Sequence, residues 1–226
     1  MSTHASLQPN PLPGGTKTIA ILGGTFDPVH LGHLRVAWEA AEALDAEVRL
    51  MPAHVPPHRP APLASAAQRV AMLEAALAGQ DRLTLDTREL RRDGASYTFD
   101  TLCELRRELG AEQRLILLLG ADAFAGLPTW HRWRELLDQA HVVVLTRPGH
   151  GAPLPAELGA EIAPRRVASG AQLRLAAAGK VMDLPVTPLE ISASAVRALL
   201  ASGREPRWLL PDALCADATL LAPYRR

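Results

Sequence analysis

Two histidines three residues apart, His30 and His33, stand in the run Gly23-Gly24-Thr25-Phe26-Asp27-Pro28-Val29-His30-Leu31-Gly32-His33-Leu34. An imidazole does chemistry by donating N–H to an anionic oxygen, by moving a proton, or by ligating a metal through a ring nitrogen. The neighbours favour the first use. Gly23 and Gly24 carry no Cβ, so a phosphate can approach their backbone closely. Thr25 and Phe26 continue the turn, Asp27 reads as a helix N-cap, and Pro28 reads as the favoured first helical residue. Strand, glycine turn and helix N-terminus in that order make an anion-binding corner, with unpaired N–H groups and the positive dipole end facing one space. His30 and His33 then lie on one face of the first helical turn, aimed where phosphates would sit. An H-x-x-H pair by itself would also suit a metal or two solvated side chains.

The elements that must hold this corner are legible on either side. Thr18-Ile19-Ala20-Ile21-Leu22 is a short apolar run bounded by glycine and predicts a buried strand. Leu34, Trp38, Ala41 and Leu44 have the spacing of one helix face. Residues 46–51 predict a second strand, giving a β-α-β unit. Residues 52–62 carry five prolines and predict an extended loop at a strand's C-terminal end, where open parallel sheets bind ligands. Ser65 with Gln68 forms a capping box for a helix to Ala78 that buries Val70, Leu73 and Leu77. Further expected strands are 82–87, 114–120, 141–146 and 181–184. Further expected helices start at Tyr97-Thr98-Phe99, ending at Gly110, at Ile191 (to Leu200) and at Pro211 (to Leu221). Residues 149–180 read as loops with one short helix. The alternation predicts an α/β fold: a Rossmann-like, doubly wound, mainly parallel sheet with helices on both faces.

Neither a G-x-G-x-x-G turn nor a G-x-x-x-x-G-K-[ST] loop occurs, so both common nucleotide fingerprints are missing. A second motif, Ile191-Ser192-Ala193-Ser194-Ala195-Val196-Arg197, opens a helix with serines. Serine there is ordinarily a cap. Arg197, three residues beyond Ser194, adds a guanidinium to the hydroxyl and backbone N–H groups, a set suited to phosphate oxygens.

Together these motifs resemble the bacterial nicotinate-nucleotide adenylyltransferases. G-G-T-F-D-P-V-H-L-G-H-L and I-S-x-S-x-x-R mark the wider nucleotidyltransferase superfamily. Narrower marks are Val55 to Arg59 (V-P-P-H-R), Ser96 to Thr98 (S-Y-T), Gly120 to Asp122 (G-A-D), Pro128-Thr129-Trp130, and Arg147 to Gly149 (R-P-G). The similarity runs from Thr18 to Tyr224. It implies a nucleotidyltransferase fold and transfer of the adenylyl group of ATP, carried with Mg²⁺, to nicotinate mononucleotide. His33 and His30 would donate to phosphates while Ser194 and Arg197 hold the triphosphate. Gly23, Gly24, Thr25, Phe26, Asp122, Arg147, Ile191 and Ser192 would complete the ATP side. Trp130 would stack on the pyridine ring, and Thr98 with amides near Trp130 would receive its carboxylate. His131, His54 and Arg59 would line the same subsite; His58 and Arg59 otherwise read as solvated loop charge. His54 stands where relatives often carry asparagine, and His131 where tyrosine is frequent. Rival readings are another acceptor, such as nicotinamide mononucleotide or phosphopantetheine, and a nucleotide-binding sensor without catalysis.

Composition bounds the rest. With 226 residues, 48% hydrophobic and 21% charged, the chain suits a globular α/β protein, expected as a tail over 1–17 and one nucleotidyltransferase domain over 18–226. Met1 to Lys17 is rich in Ser, Pro, Asn and Gly without periodicity and is expected to be disordered. Lys+Arg and Asp+Glu are 24 each, which lacks the basic footprint of a nucleic-acid binder. Cys103 and Cys215 read as small buried hydrophobes, without a disulfide or metal framework. No metal site built from protein ligands is expected. No apolar run is of membrane-spanning length, so a cytoplasmic protein without membrane partners is expected. A homo-oligomer is compatible with the resemblance.

Overall fold

The computed structural model describes residues 17–54, 61–92, 94, 96–147 and 153–225. Residues 1–16 of the expected N-terminal tail, His58, Arg59, most of the proline-rich loop and Pro148-Gly149 lie outside the described residues.

Six strands form one parallel sheet: β1 (Thr18–Gly24), β2 (Ala46–Pro52), β3 (Leu83–Leu85), β4 (Leu115–Gly120), β5 (His141–Thr146) and β6 (Val181–Pro185). Their order across the sheet is β3-β2-β1-β4-β5-β6, so the winding reverses between β1 and β4. Such a reversal opens a crevice at the strands' C-terminal ends. Period-2 alternation splits each strand between two cores. Ala20, Leu22, Ile116, Leu118, Val143 and Leu145 face one apolar cluster. Ile19, Ile21, Leu115, Leu117, Leu119, Val142 and Val144 face the other. Helices α1 (Leu31–Leu44), α2 (Ala66–Leu77), α8 (Ala193–Ala201) and α9 (Asp212–Ala216) cover the first face. Helices α3 (Thr98–Leu109), α4 (Ala121–Ala125), α5 (Trp133–Gln139) and α6 (Ala156–Ile162) cover the second. A short α7 (Gly170–Leu173) precedes β6. The α/β doubly wound expectation is met.

Several boundaries differ from the sequence reading, each for a local reason. Helix α1 begins at Leu31 with His30 as its N-cap, so Asp27 and Pro28 belong to the preceding turn. Asp27 is instead drawn inward by hydrogen bonds described below. In α2 the capping box forms as expected, but the buried face is Arg69, Met72, Leu73 and Leu77, with Val70 only half-buried. Strand β3 is short because Asp86 turns back to accept the Arg88 backbone N–H at 3.0 Å, starting a 3₁₀ turn over Arg88–Arg91. Helix α8 starts at Ala193, not Ile191, because Ser192 caps it. The terminal helix stops at Ala216. Asp217 captures the Thr219 N–H and hydroxyl at 2.9 and 2.6 Å, and such an Asx turn competes with helix. The 149–180 segment holds more helix than expected: α6, a 3₁₀ turn over Ala163–Arg165, and α7. No helix among the described residues is long and apolar enough to cross a membrane.

Candidate functional site

The corner after β1 is built as the motif suggested, with different residues doing the building. Phe26 has a left-handed backbone (φ 51°) and its ring is buried. A Cβ on Gly24 would come within 2.9 Å of that ring, so Gly24 is required by Phe26 packing, whereas Gly23 has open space around it. Phe26 thus commits its ring to packing inside the corner. Its ring sits edge-on to His33, with centroids 5.0 Å apart, and braces it.

His30 and His33 stack, ring centroids 3.7 Å apart and 23° from parallel. The His30 backbone N–H donates to His33 Nδ1 at 3.3 Å. With Nδ1 accepting, the proton of a neutral His33 ring sits on Nε2, which makes that nitrogen a donor. Gly32 is needed here too, since a Cβ would lie 3.0 Å from His30 Nδ1 and 3.6 Å from Ile191 Cβ. The same contact places the start of the second motif against the first. Burial, helped by the positive charge of Arg147, lowers the His30 pKa to about 4. His30 is thus neutral at pH 7, and its buried Nδ1 has no hydrogen-bond partner among the described residues.

Arg197, on α8, donates from Nη1 to the Asp27 main-chain oxygen at 2.8 Å and from Nη2 to Ser194 Oγ at 3.2 Å. Ser192 spends its hydroxyl on the cap, accepting from the Ala195 N–H at 3.1 Å. Arg147 lies exposed at the end of β5, and Asp122 exposed in the first turn of α4 after β4. Asp122 is therefore not that helix's cap; Gly120 is.

The second set of residues lies along the same edge. The Ala53 N–H donates to Gly24 O at 2.9 Å, tying the end of β2 to the corner. Next to it the His54 N–H donates to Ser96 Oγ at 3.4 Å, and the buried His54 Nδ1 has no partner among the described residues. Tyr97 packs its ring 4.6 Å from that of His131. Thus His54, Ser96-Tyr97-Thr98 and Trp130-His131 form one chain of contacts. Trp130 is half-buried against the second core, whereas Trp133 is fully in it. The amides near Trp130 do not serve as free donors. The Trp130 N–H bonds Leu127 O at 2.9 Å and the Thr129 N–H bonds Gly126 O at 3.0 Å, both within a 3₁₀ turn. The first turn of α3, which opens at Thr98 with no cap bond from the Tyr97 side chain, offers further backbone N–H groups.

Comparison with known proteins agrees with this geometry. A cytidylyltransferase-like family model matches residues 21–199. "Probable nicotinate-nucleotide adenylyltransferase" of Pseudomonas aeruginosa (strain UCBPP-PA14) is 53% identical over 200 residues, covering 88% of this chain and 92% of the relative. The chain belongs to the nicotinate-nucleotide adenylyltransferase family. A relative of the same name from Aeromonas hydrophila is 50% identical over 208 residues, 92% of this chain and 97% of its own. The fold is shared with Plasmodium falciparum nicotinic acid mononucleotide adenylyltransferase complexed with NaAD (TM-score 0.66, 16% identity, 92% of this chain and 96% of the other).

Sequence reasoning missed the buried scaffold of this family member's corner. Asp27 accepts at Oδ2 from the Leu63 N–H (2.8 Å) and at Oδ1 from the Ala64 N–H (3.0 Å) and the Tyr224 hydroxyl (2.7 Å). Arg69 donates to Thr25 O at 2.8 Å. An arginine at a core position of an otherwise apolar helix face was the available signal for Arg69. Tyr224, distant in sequence, offered none.

Two buried imidazoles weaken the fold in acid. His141, fully buried at the start of β5, accepts the Lys180 N–H at Nδ1 and bonds Ala176 O through Nε2, each at 3.0 Å. Burial lowers its pKa to about 4, as it does for His30. Both are depressed, so the unfolded chain binds the extra protons first. Their contribution is complete above the ordinary histidine value and is lost as pH falls toward 4. Between pH 7 and pH 5 each should cost about 2 kcal/mol of stability, partly offset by buried Glu89, whose pKa is raised. In histidine-resolved NMR, both rings are expected to titrate near pH 4; midpoints near 6.5 would contradict this.

Proposed function

We propose that this chain transfers the adenylyl group of ATP to nicotinate mononucleotide, giving deamido-NAD and pyrophosphate, with residues 18–226 acting as one domain. The observation that supports it best is the meeting of two separate motifs: a Cβ on Gly32 would lie 3.6 Å from Ile191 Cβ, and Arg197 donates to the Asp27 main-chain oxygen at 2.8 Å. A phosphate-binding corner and a serine–arginine helix start thereby face one crevice at the β1/β4 reversal.

The acceptor phosphate of nicotinate mononucleotide is already ionised at neutral pH, so no residue need act as base. One of its oxygens attacks the α-phosphorus, and the bond to the bridging α–β oxygen breaks with its electron pair leaving on pyrophosphate. The protein positions the two phosphates in line and stabilises the charge that develops. His33 Nε2–H and the α1 N-terminus serve the reacting phosphate, and neutral His30 donates without adding charge. Ser194 and Arg197, joined by Arg147, hold the leaving pyrophosphate, and Ile191, Ser192, Gly23, Gly24 and the Thr25 backbone border the nucleotide. Thr98, Trp130, His131, His54 and Arg59 form the pyridine side.

Mg²⁺ fits this edge as an ion arriving on ATP. Asp122 would offer the ion one hard oxygen, and the described residues contain no group of three or more His, Cys, Asp or Glu suited to a metal cage. When bound, the ion neutralises triphosphate charge. Pyrophosphate release should require ATP, nicotinate mononucleotide and Mg²⁺ together, and release without the mononucleotide would refute the reading. Elemental analysis of the purified chain is expected to find no stoichiometric zinc. Zinc on His30 and His33 would overturn their assignment to phosphate, and it is disfavoured because His33 Nδ1 already accepts the His30 N–H.

A further inference from the structure

We propose that Tyr224 is a positioning residue for adenylyl transfer, acting through Asp27 on the phosphate-holding Arg197. This rests on the reaction proposed above and assigns a role to the last turn of the chain.

The Tyr224 side chain is 2% exposed and its hydroxyl donates to Asp27 Oδ1 at 2.7 Å. Burial and the adjacent carboxylate push the phenol pKa well above its ordinary value, so the group stays an O–H donor at any working pH. Asp27 itself is 5% exposed, and it does two things at once. Its carboxylate collects Leu63 N–H, Ala64 N–H and the tyrosine hydroxyl, while its main-chain oxygen fixes Arg197 Nη1 at 2.8 Å. Arg197 Nη1 also stands 3.9 Å from Asp27 Oδ2, near enough for attraction and too far for a hydrogen bond. Arg69, donating to Thr25 O at 2.8 Å, supplies a balancing positive charge from the other side.

This spacing matters because Arg197 must offer its guanidinium to a phosphate. A charge-assisted hydrogen bond to Oδ1 is among the stronger restraints available to a buried carboxylate. Without the hydroxyl, Oδ1 keeps the Ala64 N–H, and the carboxylate is free to turn toward Arg197, whose Nη1 already stands 3.9 Å from Oδ2. The carboxylate then closes on Arg197 and competes with the triphosphate for it. A tyrosine that merely filled volume would need no hydroxyl, because the Phe ring occupies the same space.

The test is Tyr224→Phe in the full chain, alone and with Arg197→Ala, assayed well below the melting temperature of each variant. Expected results are a 5- to 20-fold lower kcat, a higher KM for ATP and an unchanged KM for nicotinate mononucleotide. Affinity for a non-hydrolysable ATP analogue, measured by calorimetry, should fall by a similar factor. In the Arg197→Ala background the tyrosine change should alter neither quantity, since interacting residues are non-additive. A lower melting temperature with wild-type kcat, KM and analogue affinity would overturn the proposal, as would equal losses in both backgrounds. The analogue-binding arm stands even if the native chain releases no pyrophosphate, a result that would defeat the proposed reaction instead.

Discussion

Replacing His33 by alanine is expected to lower kcat by roughly 10²- to 10³-fold, the loss measured when one preorganised donor is removed from a developing oxyanion. The structure gives the donor its preorganisation. His33 is clamped between the His30 ring at 3.7 Å and the Phe26 edge at 5.0 Å, and its Nδ1 is occupied by a backbone N–H. With Nδ1 accepting, the proton of the neutral ring sits on Nε2, and the clamped ring needs little reorganisation when charge builds on the phosphate. His33 is half-buried on the surface of the corner, and truncating it opens no closed cavity. The melting temperature should therefore change little. The measurement is a steady-state assay with saturating ATP and acceptor, paired with thermal unfolding; a kcat within threefold of wild type would remove His33 from the reaction.

The parts of this corner that sequence reveals are those encoded locally. The glycines, the H-x-G-H spacing and the Ser-x-x-Arg spacing each depend on residues within one turn, so periodicity and cap chemistry expose them. Even there the physical reason shifted: Gly24 answers to the Phe26 ring and Gly32 to the His30 ring, rather than to a phosphate alone. Asp27 shows the limit. Asp-Pro before a helix reads as a cap, yet its carboxylate partners lie 36, 37 and 197 residues away in sequence, and no local rule reaches that far. The same holds for the pyridine side. His54, Ser96 and His131 sit on three separate strand ends or loops that only the parallel winding brings together. The central strands followed readily, because β4 and β5 are continuous apolar runs of the kind buried on both faces, whereas strand order is set by the winding and no local run encodes it.

The second large effect expected is discrimination between nicotinate and nicotinamide mononucleotides, by roughly a hundredfold or more in kcat/KM. The two differ only in carboxylate against amide. The first turn of α3, opening at Thr98 without a side-chain cap, presents backbone N–H groups and a positive dipole end. A carboxylate placed there would accept from both the Thr98 hydroxyl and these amides. An amide would turn its NH₂ toward one of them, and each buried donor left unpaired costs about 1–3 kcal/mol. Two mismatches reach the stated ratio. Trp130→Ala should weaken both mononucleotides alike, by about 1–3 kcal/mol, because a π-face does not read the substituent. Equal kcat/KM for acid and amide would show that α3 does not face the ring substituent.

The central claim is that the crevice moves an adenylyl group and nothing else. It is tested by one experiment with ATP carrying a radioactive α-phosphate, incubated with the chain, Mg²⁺ and nicotinate mononucleotide. The label is expected to appear in the dinucleotide deamido-NAD, mole for mole with unlabelled pyrophosphate. Label recovered as ADP or free AMP, with no dinucleotide formed, would contradict it.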